Sequence, residues 1–223
     1  PRISLVGCGK AEDFNQENIR QVSAKHAQSL RNLGVKKIIV PIPDDISDLS
    51  VQAIVEGVKL GLYTFDQHKT EGRNEIKELE ELTFLTANES RTSVIKQGIE
   101  LGNTITDGVI LARDLTNQPA NYLTPTILAE TAQSVAKEKN LRCEIFDSVK
   151  LQEEKFGAML GVSQGSLEEP RFVILEYGFE EANAKDTLVI ARSFSKFLDF
   201  SNIAESLFSI HNIHDHNIRK TQE

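Results

Sequence analysis

The chain has 223 residues, enough for one large or two small domains with a real core. Hydrophobic residues make up 39% and charged residues 26%, ordinary for a soluble globular protein, and no apolar run approaches the ~20 residues a membrane helix needs. The formal charge of −8 argues against broad phosphate binding and against a nucleic-acid partner, while leaving room for a local basic patch.

The opening PRISLVGCGK has neither the apolar core nor the cleavage pattern of a signal peptide, and its Pro1 directly before a strand-like run fits a start inside a domain. Residues 3–6 read as a short strand ending in the turn GCGK. A helix is predicted from Asn15 or Gln16 to Asn32, where Ile19, Val22, His26, Leu30 and Leu33 recur at helical spacing and Gly34 supplies the stop. Residues 36–42 (KKIIVPI) form a strand closed by Pro43 and the Asp-rich loop DDISDLS. Ser47 or Ser50 caps a second helix reaching about Phe65, with Ile54, Val58, Leu62 and Phe65 as its apolar stripe. After the loop HKTEGRNE, residues 78–86 alternate as another strand. Strand, helix, strand, helix, strand over residues 1–86 predicts parallel pairing in an α/β layered fold.

A long helix over about 90–115 follows, opened by Ser90 and Ser93 and carrying Val94, Ile95, Ile99, Leu101, Ile105, Val109, Ile110 and Leu111. At about 1.5 Å per residue it spans close to 40 Å and could link two domains. TNQPANYLTP breaks it, because Pro119 and Pro125 cannot sit in a helix interior and Asn117, Asn121 and Thr124 favour turns and caps. Thr124 caps the next helix, with Pro125 in its first turn, to about Lys139. Residues 142–147 form a strand and 149–156 a short helix. GAMLGVSQGS is small and apolar before it loops, and RFVILEY and TLVIA are further strands. There is no internal repeat and no low-complexity tract.

Residues 191–223 have a different texture. All 13 glycines and all 6 prolines precede residue 179, whereas three of the five histidines and four of the eleven phenylalanines lie in this tail. Its charges balance to zero. Without turn residues it is not expected to continue an α/β sheet. Phe197, Phe200, Ile203, Ala204, Leu207 and Phe208 would make one amphipathic helix, and the composition also suits an AT-rich segment translated in an unintended frame.

The chemistry-bearing candidates are weighed against plainer readings. GCGK (7–10) fails as a phosphate loop, because Ala11 follows Lys10 and Glu12 stands where a dinucleotide fingerprint needs glycine, so a tight turn is favoured. HNIHDH places His211, His214, Asp215 and His216 together, with metal-donor types and His211 and His214 three apart; without a further ligand nearby, accidental clustering is favoured. TEGR (70–73) reads as a solvated loop. The acid pairs Glu80/Glu81, Glu153/Glu154 and Glu168/Glu169 are sequence neighbours whose side chains diverge, so they read as solvated faces. Cys8 and Cys143 sit among strand-like residues without CxxC spacing and read as buried free thiols of a reducing compartment. No G-x-S-x-G, H-E-x-x-H or Cys/His constellation is present. The residues alone describe an α/β protein without a complete active site.

ARDLTNQPANYLTPTILAE (112–130) closely resembles the junction between the two domains of the leucyl (cytosol) aminopeptidases, two-metal enzymes that remove N-terminal residues from peptides. Three further stretches agree in order: GLYTFDQHKT (61–70) with the end of that family's N-terminal domain, FGAMLGVSQGSLEEPRFVILEY (156–177) with the opening of its catalytic domain, and DTLVI (186–190) with the strand before its first metal motif. The resemblance covers about Arg2 to Ile190. It implies a macro-like N-terminal α/β domain, a linking helix and a catalytic α/β domain. It also implies two Zn or Mn ions activating a bridging water, a cytoplasmic setting and a hexamer. After LVI the family continues with G-K-G-[IL]-T-F-D-S-G-G, and later with N-T-D-A-E-G-R. This chain has ARSFSKFLDF at the first position and lacks the second pattern. Lys196 and Asp199 have no flanking glycines and receive no ligand role. No catalytic, metal-binding or cofactor-binding residue is therefore assigned, and no cofactor is expected in this chain.

The expected division is an N-terminal α/β domain at 1–88 lacking its first strands, a linking helix and junction at 89–118, an incomplete start of the catalytic domain at 119–190, and an unrelated tail at 191–223. The leading reading is a truncated, inactive aminopeptidase homologue. It should expose apolar surface and self-associate, with peptide substrate bound only by intact relatives. The alternative is a non-catalytic assembly or binding module that joins intact aminopeptidase subunits; DNA-linked roles of some bacterial relatives run against the acidic balance. A third reading is a metalloenzyme using the tail histidines. No membrane partner is expected.

Overall fold

The computed structural model describes residues 2–10, 12, 14–44, 47–72 and 77–177 with their side chains, and residues 188–194 and 210–212 by backbone alone. The chain divides into two units, Pro1–Asn117 and Gln118–Glu223.

In the first unit, helices α1 (Gln16–Asn32), α2 (Asp48–Leu62) and α3 (Thr92–Asn117) accompany two parallel strands, β1 (Lys37–Pro41) and β2 (Glu81–Leu85). The strands pair from Lys37 opposite Glu81 to Pro41 opposite Leu85, the parallel α/β arrangement the element order predicts. Helix starts are set locally. The side chains of Asn15 and Ser47 accept from the backbone N–H groups of Asn18 and Ser50, satisfying donors that have no partner inside the helix. The 3-10 turn Glu89–Arg91, capped by Asn88, leads into α3. Gly34 stops α1 at φ 77°, where glycine carries no Cβ penalty, and its N–H reaches Arg31 O at 2.8 Å.

Along both strands half-buried Ile38, Val40, Leu82 and Phe84 alternate with exposed neighbours. The core gathers Ile42, Val51 and Ile95, with Val40, Ile54, Phe84 and Ile99 packed around them, so the sheet lies against α2 and α3. α1 packs chiefly on α2.

Glycines bring the three helices together. Gly57 and Gly61, one turn apart on α2, face α1: a Cβ at Gly61 would stand 2.7 Å from Ala24 Cβ, and one at Gly57 would meet the Arg20 carbonyl. Gly98 and Gly102 of α3 face α2, where a Cβ would stand 2.6 Å from Asp48 O and 2.9 Å from Val55 Cβ respectively. Residues four apart share one helix face, so each pair makes a stripe along which backbones approach closely. One turn further, Thr106 is fully buried and returns its hydroxyl to Gly102 O at 2.8 Å. Between α1 and α2, Glu56 is 5% exposed at its side chain and accepts from Arg20 Nε and Gln52 Nε2, both at 2.6 Å. The hydrogen bond to Glu56, more than any other cause, raises the Arg20 pKa above its ordinary value.

The second unit holds α4 (Pro125–Lys139), β3 (Arg142–Phe146), α5 (Ser148–Glu153), α6 (Gly157–Ser163), β4 (Arg171–Tyr177), β5 (Leu188–Phe194) and β6 (Ile210–Asn212). Its strands lie in the order β3-β4-β5-β6, each pair antiparallel. α4 has the predicted bounds. Thr124 caps Ile127 N–H, Pro125 occupies the first turn, and Asn140 closes the end at φ 53°. Its core is aromatic: Phe146, Phe156 and Phe172 stand 5.2–6.1 Å apart in mutual tilted or edge-on contact, beside fully buried Leu151.

Several expectations are corrected. Residues 3–6 are not a strand: they have no ladder partner, and Ile3 and Leu5 are 91% and 92% exposed. A short apolar run makes a strand only where a neighbour supplies hydrogen bonds. α2 ends at Leu62 because Tyr63 takes extended backbone, and Leu33 lies beyond the end of α1, exposed. The small, apolar GAMLGVS, given no element by the sequence, is helix α6, preceded by Phe156 of the aromatic core, whose carbonyl accepts from Leu160 N–H. The strand beginning in TLVIA continues to Phe194 opposite Arg171, and Ile210–Asn212 pairs with its first residues, so segments past 190 do join the sheet. Backbone ladders depend little on side-chain texture, and a free edge accepts them. The amphipathic helix expected over 197–208 lies outside the described residues. Among the described residues, no helix is long and apolar enough to cross a membrane.

Candidate functional site

GCGK forms no cradle. Gly9 takes φ 85°, but among the described residues nothing lies within 4 Å of a Cβ built at Gly7 or Gly9, and Lys10 pairs with Glu12, both side chains exposed. Thr70, Glu71 and Gly72 are exposed, and Arg73 lies outside the described residues, as do Lys196, Asp199, His214, Asp215 and His216. His211 falls in β6, described by backbone alone. Glu80 and Glu81 pair with Lys36 at 2.6 Å and Lys37 at 2.7 Å, and Glu169 pairs with Arg171 at 2.9 Å. These are surface ion pairs, as the divergence of neighbouring side chains predicts. The thiols of Cys8 and Cys143 are free, but half-buried rather than buried, and they belong to different units. Burial pushes the Cys143 thiol up, away from the reactive thiolate. Among the described residues, no three His, Cys, Asp or Glu side chains stand where they could share a metal ion.

The most organised polar cluster is one the sequence did not reveal. It joins GLYTFDQHKT to ARDLTNQPANYLTP, two of the family-like stretches. Tyr63 leaves the end of α2 and donates its hydroxyl hydrogen to Asp114 Oδ1 at 2.8 Å, while Asn117 Nδ2 donates to the same hydroxyl at 3.1 Å. Arg113 lies over the Tyr63 ring, 5.4 Å from its centroid, and donates to Leu60 O at 3.0 Å. From the other flank, Arg31 of α1 donates to Leu62 O at 3.2 Å and Gln28 to Gly61 O at 2.7 Å. The last carbonyls of α2 therefore meet guanidinium groups from both neighbouring helices, which suits the negative end of its dipole. One turn earlier, Lys59 binds Asn103 Oδ1 at 3.0 Å and Asp107 Oδ1 at 2.6 Å.

The contacts of this cluster hold helices together. Burial, chiefly, raises the Tyr63 pKa, so the phenol stays protonated and donating at neutral pH. The arrangement fastens α2 to the last two turns of α3, where the junction motif begins. The residues that make it are 51 and 54 positions apart, so only a contact between the two stretches could have exposed it.

Residues 1–72 match the profile of the cytosol aminopeptidase family, N-terminal domain, and residues 110–193 that of the cytosol aminopeptidase family, catalytic domain. The chain is 38% identical over 183 residues to a probable cytosol aminopeptidase of Alkaliphilus metalliredigens, covering 79% of this chain and 37% of that protein. It is 37% identical over 192 residues to one of Geotalea uraniireducens, covering 84% and 39%. Among solved structures, the bottromycin maturation enzyme BotP in complex with Mn aligns with a TM-score of 0.65 at 25% identity, over 77% of this chain and 35% of that one. A tomato leucine aminopeptidase mutant aligns with a TM-score of 0.65 at 27% identity, over 75% and 34%. The chain thus spans less than two fifths of the length of these relatives.

Proposed function

The chain belongs to the cytosol aminopeptidase family, whose members are metal-dependent aminopeptidases, and we propose that these 223 residues carry that family's N-terminal domain, junction and first catalytic-domain elements without its catalysis. The observation that carries this reading is where the likeness stops. The catalytic-domain match ends at residue 193, and the following sequence has none of the glycine-flanked Lys and Asp pattern the family resemblance calls for. The described residues do not fit a two-metal centre either, since no three of their His, Cys, Asp and Glu side chains stand where they could share an ion. In this proposal residues 1–88, 89–118 and 119–190 are the domain, link and partial domain expected from the sequence. Release of N-terminal amino acids by two metal ions belongs to longer relatives, and the setting is cytoplasmic.

The test is direct. The purified full chain, supplied with Mn or Zn, is assayed against leucine p-nitroanilide. No hydrolysis above buffer is expected. Hydrolysis that is abolished by a chelator and co-elutes with the chain would overturn the reading.

A second reading, an assembly module that associates with itself or with intact aminopeptidase subunits, is favoured by exposed apolar side chains on folded elements. Ile39 and Leu85 are 65% and 59% exposed on the outward face of the β1–β2 sheet, and Tyr177 is exposed at the end of β4. Sedimentation should then show species larger than one chain. A sharp monomer that fails to co-purify with an intact aminopeptidase removes this reading.

A further inference from the structure

β3 stands at one end of the second unit's sheet. Among the described residues its one strand neighbour is β4, so about half of its backbone N–H and C=O groups face an open edge. A row of this kind is a template for another strand. The side chains along it say which strand fits.

Successive residues of a strand alternate faces. Arg142, Glu144 and Phe146 share one face, where Lys150 both pairs with Glu144 and lies over the Phe146 ring. Cys143 and Ile145 take the other face, opposite Leu175 and Val173 of β4. On the first face Glu176 of β4 pairs with Arg142 at 3.2 Å. The Arg142 side chain is still 62% exposed and that of Glu144 42%, so each has room for a second partner.

Symmetry limits the register. Two copies of one strand that pair antiparallel are related by a twofold axis, so one residue stands opposite itself. Centring on Glu144 puts two carboxylates face to face, which is unfavourable. Centring on Ile145 carries Arg142 past the end of the other β3. Centring on Cys143 sets Arg142 opposite Glu144 of the other copy, twice, and Ile145 opposite the half-buried Leu141, twice. Across the join the charged groups then run Glu176, Arg142, Glu144, Lys150, changing sign at each step. Cys143 meets its own counterpart, and burial pushes this thiol up, so the two sulfurs face each other uncharged.

We propose that the open edge of β3 is a self-docking edge: two copies of this chain join their β3 strands antiparallel, with Cys143 opposite Cys143 and each Arg142 opposite Glu144 of the other copy. The inference rests on the second reading above, association of the chain with itself, and gives that reading a surface and a register.

Sedimentation, charge reversal and thiol trapping on the full chain test it together. The unsubstituted chain should sediment as a dimer. Arg142→Glu and Glu144→Arg should each raise the dimer Kd about tenfold or more, because each turns both cross-strand pairs into like charges. The double variant should recover most of the lost affinity. It spoils the pairs with Glu176 and Lys150 inside each chain, so its recovery comes from the join. Opposite residues of an antiparallel pair stand about 4.5 or 5.5 Å apart at Cα, both within disulfide reach. Oxidation by copper phenanthroline should therefore link Cys143 to Cys143, in Cys8→Ser as in the unsubstituted chain, and not in Cys143→Ser. Should a charge variant unfold, seen as loss of amide protection in β4, thiol trapping in the unsubstituted chain decides alone. A sharp monomer overturns the proposal and removes self-association with it. A dimer that ignores both charge reversals, is not recovered by the double variant, or forms no Cys143 link overturns the proposal while self-association stands.

Discussion

The two units bury their elements with opposite materials. In Pro1–Asn117 the helices meet through absences: Gly57, Gly61, Gly98 and Gly102 let backbone touch side chain, and the one aromatic ring at the core is Phe84. In the second unit the contacts are made by bulk, with Phe146, Phe156 and Phe172 interlocked between sheet and helices. A contact made by glycine fails when atoms are added, and a contact made by phenylalanine fails when atoms are removed. Each unit should therefore be sensitive to the substitution its counterpart tolerates.

The largest effect tests the aromatic side. Phe146 is buried and touches both other rings, and Lys150, paired with Glu144, lies 4.2 Å over its face. Phe146→Ala should cost about 3–5 kcal/mol, the sum of lost transfer energy and the cavity left behind. The loss should appear in amide exchange as faster opening of β3 and β4, with α1, α2 and α3 unchanged. Equal loosening of both units would break the comparison, because it would mean that they unfold as one.

Next comes the charged contact inside the glycine-packed unit. Glu56→Ala leaves the Arg20 guanidinium without its buried partner but still near Glu17 and about one third exposed. A fully buried widowed charge costs about 3–5 kcal/mol, so here about 2 kcal/mol is expected, measured as a lower urea midpoint for exchange in α1 and α2. A change below about 0.5 kcal/mol would show that water already solvates the pair.

Much of this architecture was legible because it is locally encoded. Asn15, Ser47 and Thr124 announce their helices by capping, Pro125 and Gly34 mark a start and a stop, and the strand–helix order predicts the parallel pairing of β1 and β2. What was not legible depends on partners distant in sequence. Residues 3–6 look like a short strand but meet no ladder. GAMLGVS, small and apolar, carried no helical signal of its own, and its helix starts at Phe156 of the aromatic core. The family-like stretches at 61–70 and 112–130 were readable as motifs, but their joint role appears only when Tyr63 meets Arg113, Asp114 and Asn117. The spacing of Gly98 and Gly102 suggested nothing by itself, because Gly108 on the same helix looks no different and faces open space.

That last likeness provides the finest test, since one helix carries the same substitution in two environments. In α3, Gly98→Ala places a methyl group 2.6 Å from Asp48 O and 2.9 Å from Val51 Cβ, and a backbone carbonyl in a packed helix cannot simply rotate away. Pushing α3 off α2 should cost about 1–3 kcal/mol, partly offset by the ~1 kcal/mol that alanine gains over glycine in a helix, for a net destabilisation of about 1–2 kcal/mol. Gly108→Ala receives the same helical gain with nothing to strike, so it should stabilise the unit by about 0.5–1 kcal/mol. Urea midpoints read from α2 and α3 amides should therefore move in opposite directions for the two variants. If both fall, Gly108 is covered by something in solution. If both rise, α2 and α3 are not in backbone contact, and glycine in this unit serves the chain's flexibility rather than its packing.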